Sequence, residues 1–597
     1  MPIERRRVLG VITGTVLVGA TAVPGLVRAL GDDEPAADGV DKQNPPIETI
    51  RVNSSTEKAG VMREFVRRYN DADRVVGKLR ARVVLDAVTS GAMKIALASG
   101  VRNPPHVWLP TSSMWLRLLE YEGHGDLLLT KPAEVSSIAR STLVIAMPQS
   151  VAEALANHGA RLDTWADVLA LAQSGWSAYG MPNWGNFILG RDNAETSTSG
   201  LAATVATYVA APGDLTEERL DDPEVVSFVH GIESSVSLYG NEAVQFMQQI
   251  YEAEQAQAAS TYRPYIDAIV IQEQMVYLYN RGAPNGEPAR MSEERRPRNP
   301  LRTVYPKDGT LELDHPFVVL ASANVAQRAV AEDFRAFLAE DEQQRRLAEL
   351  GFRPHEGAAR PTAQLVEALG TPEDQRLTFV RIPDGKLLTA MLDSWDNVRR
   401  RARVLLVLDV SGSMNDIVRD PNTAEDSTKL ELVKPAAKRA LDLLDDDDEV
   451  GLWTFSSNPP HTEEMPIRRV GDIREQLKSR VQGLTADGNT ALYQTADDAS
   501  RLMQESADPK RINAIVLLSD GQNTEPYPGG PKALLAKLNP HGKDTSVRIF
   551  TVPYGHADNA DIDTLAQIAK LTKAAQYDAR DPLDVNDAFV RVFRNFG

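Results

Sequence analysis

Five consecutive apolar residues, 404–408, run directly into Asp409, and Ser411 and Ser413 follow at alternate positions. An unbroken apolar run of this length is what a parallel strand covered on both faces requires. Such a strand belongs in a sheet with helices on either side, so the run points to a doubly wound α/β unit around itself. In these units ligands bind beyond the carboxyl ends of the strands, and Asp409 stands at such an end. The alternate spacing turns three short oxygen side chains toward one point, and Gly412 permits the tight path. Thr490 opens a helical stretch at 491–505, and Asp520 follows the apolar strand 514–518. Carboxylate and hydroxyl oxygens in this combination suit a hard divalent cation.

The remaining pattern has the same alternation. Strands at 450–455 and 547–552 and helices at 429–444, 562–571 and 584–593 complete the second half. Between residues 47 and 351, strand-like runs at 82–85, 106–109, 143–146, 268–271 and 317–320 alternate with helical stretches at 201–210, 243–255 and 325–340. That is α/β again, with enough chain for two lobes. Residues 352–401 connect the halves, punctuated by Pro354, Pro361, Pro372 and Pro383 and helical at 387–398. The acidic run 445–449 lacks calcium-loop spacing and reads as a solvated loop.

Three segments of the first half place hydroxyls at helix starts: Ser54 and Ser55, Ser112 and Ser113, Thr198 and Ser199. Helix starts hold anions through free N–H groups and the macrodipole; simple capping is the other use of such residues. Arg140 is available to balance an anion or to pair with a carboxylate.

Composition narrows the function. Lys and Arg number 65 against 83 Asp and Glu, a net charge of −18, so nucleic acid is not expected as a partner. Cysteine is absent, which removes disulfides and thiolate chemistry. No Gly-x-Ser-x-Gly elbow or phosphate-cradling loop occurs, so an enzyme is not expected. Arg5, Arg6 and Arg7 precede an uncharged stretch at residues 8–27, long enough to span a bilayer. Residues 1–30 are therefore expected to be a transmembrane anchor or signal segment. Ala20 and Ala22 offer a cleavage site that would make the protein secreted. Residues 31–46 read as a linker, and the chain beyond it is placed on the extracytoplasmic face of the cell membrane.

Asp409, Ser411, Ser413, Thr490 and Asp520 together resemble the metal-ion-dependent adhesion site of the von Willebrand factor type A (VWA) domain, a Rossmann-like doubly wound fold, over residues 402–597. The resemblance implies one divalent cation held by these five residues, Mg2+ first, with Mn2+ or Ca2+ as alternatives. It also implies a protein partner whose acidic side chain completes the shell. Residues 47–351 resemble bacterial extracellular solute-binding proteins of the two-lobed, hinged type. That resemblance is carried by residues 53–57, 105–108, 137–148 and 196–200. It implies a small polar or anionic solute held by Ser54, Ser55, Ser112, Ser113, Thr198 and Ser199. The order of the two domains resembles a bacterial family of fused proteins. The expected function is a cell-surface binding protein with a metal-dependent interaction domain. The alternatives are the solute-binding component of a transport system, docking through its second domain, and an assembly factor for a metal- or cofactor-containing complex.

Overall fold

The computed structural model describes residues 45–596 apart from 241, 257–263, 357–360, 370–376, 378, 420–424, 521, 539–546 and 556–560. The anchor expected at residues 8–27 lies outside the described residues. Among those described, no helix is long and apolar enough to cross a membrane.

The first lobe is built on β1 (Ile47–Ser54), β2 (Val75–Val76), β3 (Leu79–Ala87) and β4 (Val107–Leu109). β1 pairs in parallel with β3 on one side and β4 on the other. The second lobe takes β5 (Ser141–Pro148), β6 (Leu189–Asp192), β7 (Val236–Gly240), β8 (Ala268–Gln272), β9 (Leu301–Val304) and β10 (Glu312–Leu313). The chain then returns to the first lobe through β11 (Val318–Val319), antiparallel to β4. Every residue of β5 is buried, because helices cover both faces of its sheet. The helix Thr56–Asp71 covers the first sheet with Val61, Phe65 and Tyr69, one buried face at helical spacing.

The second domain contains β12 (Ala402–Asp409), the hairpin β13 (Ile417–Arg419) and β14 (Asp426–Thr428), β15 (Glu449–Phe455), β16 (His461–Arg469), β17 (Ile512–Ser519) and β18 (Val547–Pro553). Its sheet order is β16-β15-β12-β17-β18. β12 lies at the centre, parallel to β15 and β17, as its apolar run requires. β16 is antiparallel and mostly exposed; its charged residues and Pro466 suit an edge strand.

The acidic run departs from its expected solvated state at one residue. Asp448 is 1% exposed. Its Oδ1 accepts from the Ala402 N–H at 2.7 Å and its Oδ2 from the Asp445 N–H at 2.8 Å. It ties the start of β12 to the loop before β15, an assignment for which composition carries no signal.

The second lobe rests on the amino ends of the second domain's strands. The connecting helix Gly385–Val398 lies between them, with Ser394 accepting from the Tyr208 hydroxyl at 2.8 Å and Trp395 edge-on to Tyr239. Arg548 donates to Ser237 Oγ at 3.0 Å, and Asn193 Nδ2 donates to the Arg594 carbonyl at 3.2 Å. The carboxyl ends, where ligands bind in such sheets, lie at the opposite end.

Candidate metal centre and interlobe site

Asp409 ends β12 fully buried. Its Oδ1 accepts from the Ser411 N–H and its Oδ2 from the Ser519 hydroxyl, each at 2.9 Å. Ser411 Oγ and Ser413 Oγ share a hydrogen bond at 3.0 Å. Two neighbouring oxygens of an octahedral Mg2+ shell, each about 2.1 Å from the ion, are also about 3.0 Å apart. Asp520 leaves β17 directly after Ser519, and its Oδ2 accepts from Lys429 Nζ at 3.2 Å.

The loop bearing Thr490 is fastened to the loop after β12. The Asp487 N–H donates to the Val410 carbonyl and the Gly412 N–H to the Gly488 carbonyl, both at 2.8 Å. The Thr490 N–H donates to Thr524 Oγ1 at 2.8 Å. Gly488 has φ +83°, and a Cβ there would stand 2.9 Å from Ser457 Oγ. Glycine meets both the left-handed conformation and the close approach.

Burial pushes the Asp409 carboxyl up to about 7, and the neighbouring Asp520 carboxylate adds to this. A neighbouring like charge opposes ionisation, and a positive charge nearby would relieve it. The donors fit a hard divalent ion: two carboxylates and three hydroxyls, all oxygen. Among the described residues no group of three or more His, Cys, Asp or Glu could hold a metal; the candidate centre has two carboxylates and three hydroxyls.

Sequence reasoning missed Lys429. Burial opposes its charge, but Asp520 and Asp416 prevail and hold its pKa above the ordinary range. It is the first residue of the helix Lys429–Asp442. A cation in the first helical turn opposes the macrodipole, and that mismatch is the signal that it serves carboxylates elsewhere.

The six hydroxyl residues of the first half are all at most 5% exposed. Ser55 Oγ pairs with Thr111 Oγ1 at 2.7 Å, and Ser54 Oγ donates to the Ser55 carbonyl at 3.2 Å. Ser112 Oγ accepts from the Met114 N–H at 3.3 Å, while the Ser113 N–H donates to Asp314 Oδ1 at 2.8 Å. Thr198 Oγ1 accepts from Trp115 Nε1 at 2.8 Å. Ser199 Oγ is buried without a hydrogen-bond partner among the described residues. Neither Ser55, Ser113 nor Ser197 caps its helix through its side chain. The Gly91 N–H donates across the lobes to the Thr196 carbonyl at 2.9 Å. Arg140 lies 3.7 Å from Glu312, a carboxylate partner within the domain. Glu57, Thr111 and Trp115, which sequence reasoning did not assign as ligands, occupy the same region.

Residues 50–353 match the family model for bacterial extracellular solute-binding proteins, and residues 404–588 match that for the von Willebrand factor type A domain. An uncharacterized protein of Synechocystis sp. is 28% identical over 228 residues, 38% of this chain and 47% of that protein. A UPF0353 protein of Mycobacterium ulcerans is 27% identical over 33% of this chain and 62% of its own length. This chain thus spans less than two thirds of either relative. An uncharacterized protein of Mycobacterium tuberculosis is 21% identical over 552 residues, 87% of this chain and 73% of that one. Among solved structures, the sulfate-binding protein SubI from Mycobacterium tuberculosis aligns with a TM-score of 0.38 and 15% identity, covering 59% of this chain and 97% of its own. The von Willebrand factor type A protein from Catenulispora acidiphila aligns with a TM-score of 0.27 and 20% identity, covering 33% and 42%.

Proposed function

Since this chain belongs to the bacterial extracellular solute-binding proteins and continues into a von Willebrand factor type A domain, we propose that it is a binding protein that grips a partner through one divalent cation. Asp409, Ser411, Ser413, Thr490 and Asp520 would hold the ion, Mg2+ first. The bound ion supplies positive charge for an acidic side chain of a protein partner. Asp409 is kept in place by the Ser411 N–H and the Ser519 hydroxyl, so the partner meets a fixed donor set. The first domain leaves this end of the molecule open to a partner, because its second lobe docks on the opposite end of the sheet. Residues 8–27 would retain the protein at the membrane, facing outward.

The observation that carries this reading is the 3.0 Å separation of the Ser411 and Ser413 hydroxyls beside the buried Asp409. The test is capture of partners from solubilised membranes by the full chain. A partner is expected with Mg2+, lost with EDTA and lost with Asp409→Ala. Capture that is indifferent to both EDTA and the substitution would overturn the reading.

A further inference from the structure

The helix start at which an oxyanion would sit is already in contact with a carboxylate of the chain itself. Glu57, in the first turn of helix Thr56–Asp71, is 2% exposed. Its carboxylate accepts from its own backbone N–H and from the Thr111 hydroxyl, 3.5 Å from Oε2, and that hydroxyl accepts in turn from Ser55 Oγ at 2.7 Å. These are the donors a free sulfate or phosphate would use: helix N–H groups and hydroxyls from two loops. Burial holds the Glu57 carboxyl above its ordinary range, and its N–H, Lys58 and the two hydroxyls offset only part of this. Lys58 is itself spent on the Pro110 carbonyl at 2.7 Å and His315 Nδ1 at 3.3 Å.

The lobes are in direct contact on both sides of this carboxylate. A Cβ on Gly60 would lie 2.3 Å from the Gly286 carbonyl oxygen, and one on Gly91 would lie 2.2 Å from that of Glu195. At both places one lobe's helix lies against backbone of the other, which only glycine allows. The Trp115 indole crosses from Gly91 to Thr198, and so covers the start of the helix Thr198–Ala210. Buried polar atoms remain on both sides of the seam: Asn53 Oδ1 and Nδ2 and Thr56 Oγ1 from the first lobe, and Thr196 Oγ1, Ser199 Oγ and Asp192 Oδ1 from the second, the Asp192 carboxyl being pushed up to about 8 by burial and by the Glu57 and Glu242 charges. None of these atoms has a hydrogen-bond partner among the described residues. Buried donors and acceptors left unpaired together call for an explanation, and a polar group seated between the lobes supplies one.

We propose that the seam between the lobes is an oxyanion site filled by the Glu57 carboxylate, so that the domain is closed on its own side chain. An intramolecular carboxylate is present at high effective concentration, and a second anion beside it would be repelled. Free oxyanions are thereby excluded until Glu57 is removed. The proposal is independent of the metal centre.

The test uses the full chain, inorganic sulfate and phosphate as probes, and chloride at equal ionic strength as control. Wild type is expected to show no melting shift at 10 mM of either anion. Glu57→Ala is expected to melt several degrees higher with sulfate or phosphate than with chloride, and to bind at least thirtyfold more tightly than wild type by calorimetry. Glu57→Gln keeps the bulk in place and is expected to bind neither. Should Glu57→Ala not fold in chloride, its refolding yield with sulfate, phosphate or formate is the readout, and recovery with any of them supports the site. Equal binding by wild type and Glu57→Ala, or a folded Glu57→Ala that binds none of these anions, overturns the proposal. So does a variant that no anion rescues. Mg2+-dependent partner capture by Glu57→Gln is expected to be unchanged, which separates failure here from failure at the metal centre.

Discussion

Lys429 Nζ lies 3.2 Å from Asp520 Oδ2 and 3.0 Å from Asp416 Oδ2, so a buried ammonium already holds the Asp520 carboxylate proposed to ligate the ion. A +1 and a +2 charge roughly 6 Å apart repel by about 1.4 kcal/mol even at the dielectric constant of water, a tenfold effect. Lys429→Gln is therefore expected to bind Mg2+ about tenfold more tightly than wild type, measured by calorimetry on the full chain. Weaker binding would mean that the ammonium's hold on Asp520 matters more than its charge.

Gly488 has φ +83° in the loop that carries Thr490. A side chain in the left-handed region costs about 1–2 kcal/mol, and here its Cβ would also press on Ser457. Gly488→Ala is expected to lower the unfolding free energy of the second domain by about that amount and to weaken Mg2+ binding as well. Denaturant melts with and without Mg2+ measure both. An unchanged Mg2+ affinity would show that the loop relaxes without moving Thr490.

Arg400 joins the two domains. Its backbone N–H donates to the Tyr239 hydroxyl at 3.1 Å, and its guanidinium donates at 2.8 Å to the carbonyls of Val236, Pro509 and Arg511. The Tyr239 hydroxyl donates in turn to Glu233 at 2.6 Å, and Glu233 is paired with the buried Arg191. Hydrogen bonds to a charged group contribute about 1.5–3 kcal/mol each and are not additive. Arg400→Ala is expected to cost about 2–4 kcal/mol and to split a single calorimetric transition into two. A single transition at the wild-type temperature would show that apolar packing alone couples the domains.

The candidate metal residues stand out in the sequence because they lie at the end of a buried strand or before a helix, so pattern and chemistry coincide at Asp409, Thr490 and Asp520. The two families were legible for the same reason: alternating strands and helices survive low sequence identity. Glu57 was not legible. One carboxylate in the first turn of a helix is ordinary, and its burial depends on residues that meet it from far along the chain: Thr111 within the first lobe, and Gly286 of the other lobe against the same helix. Asp448 was hidden for the opposite reason, since four acidic neighbours make a solvated run the simpler reading. The edge strand β16 carries too many charges for its alternation to show.

His106 gives the chain a measurable dependence on acid. It is 3% exposed, with Nδ1 accepting from the Arg51 N–H at 3.1 Å between β1 and β4. Burial, and then the Arg51 guanidinium, lower its pKa from 6.5 to about 4. The unfolded chain therefore binds one more proton than the folded chain between these two values, and stability rises with pH in that window. This contribution is complete above pH 6.5 and is lost as the pH falls toward 4. A shift of this size corresponds to about 3.4 kcal/mol when fully lost, of which roughly 3 kcal/mol is lost by pH 4. His106→Asn keeps an acceptor for the Arg51 N–H but cannot take up the proton. Denaturant melts at pH 7, 5.5 and 4 are expected to show wild type losing about 3 kcal/mol more than the variant across the series. Parallel losses in the two proteins would show that His106 is protonated at no cost and that the acid response arises elsewhere.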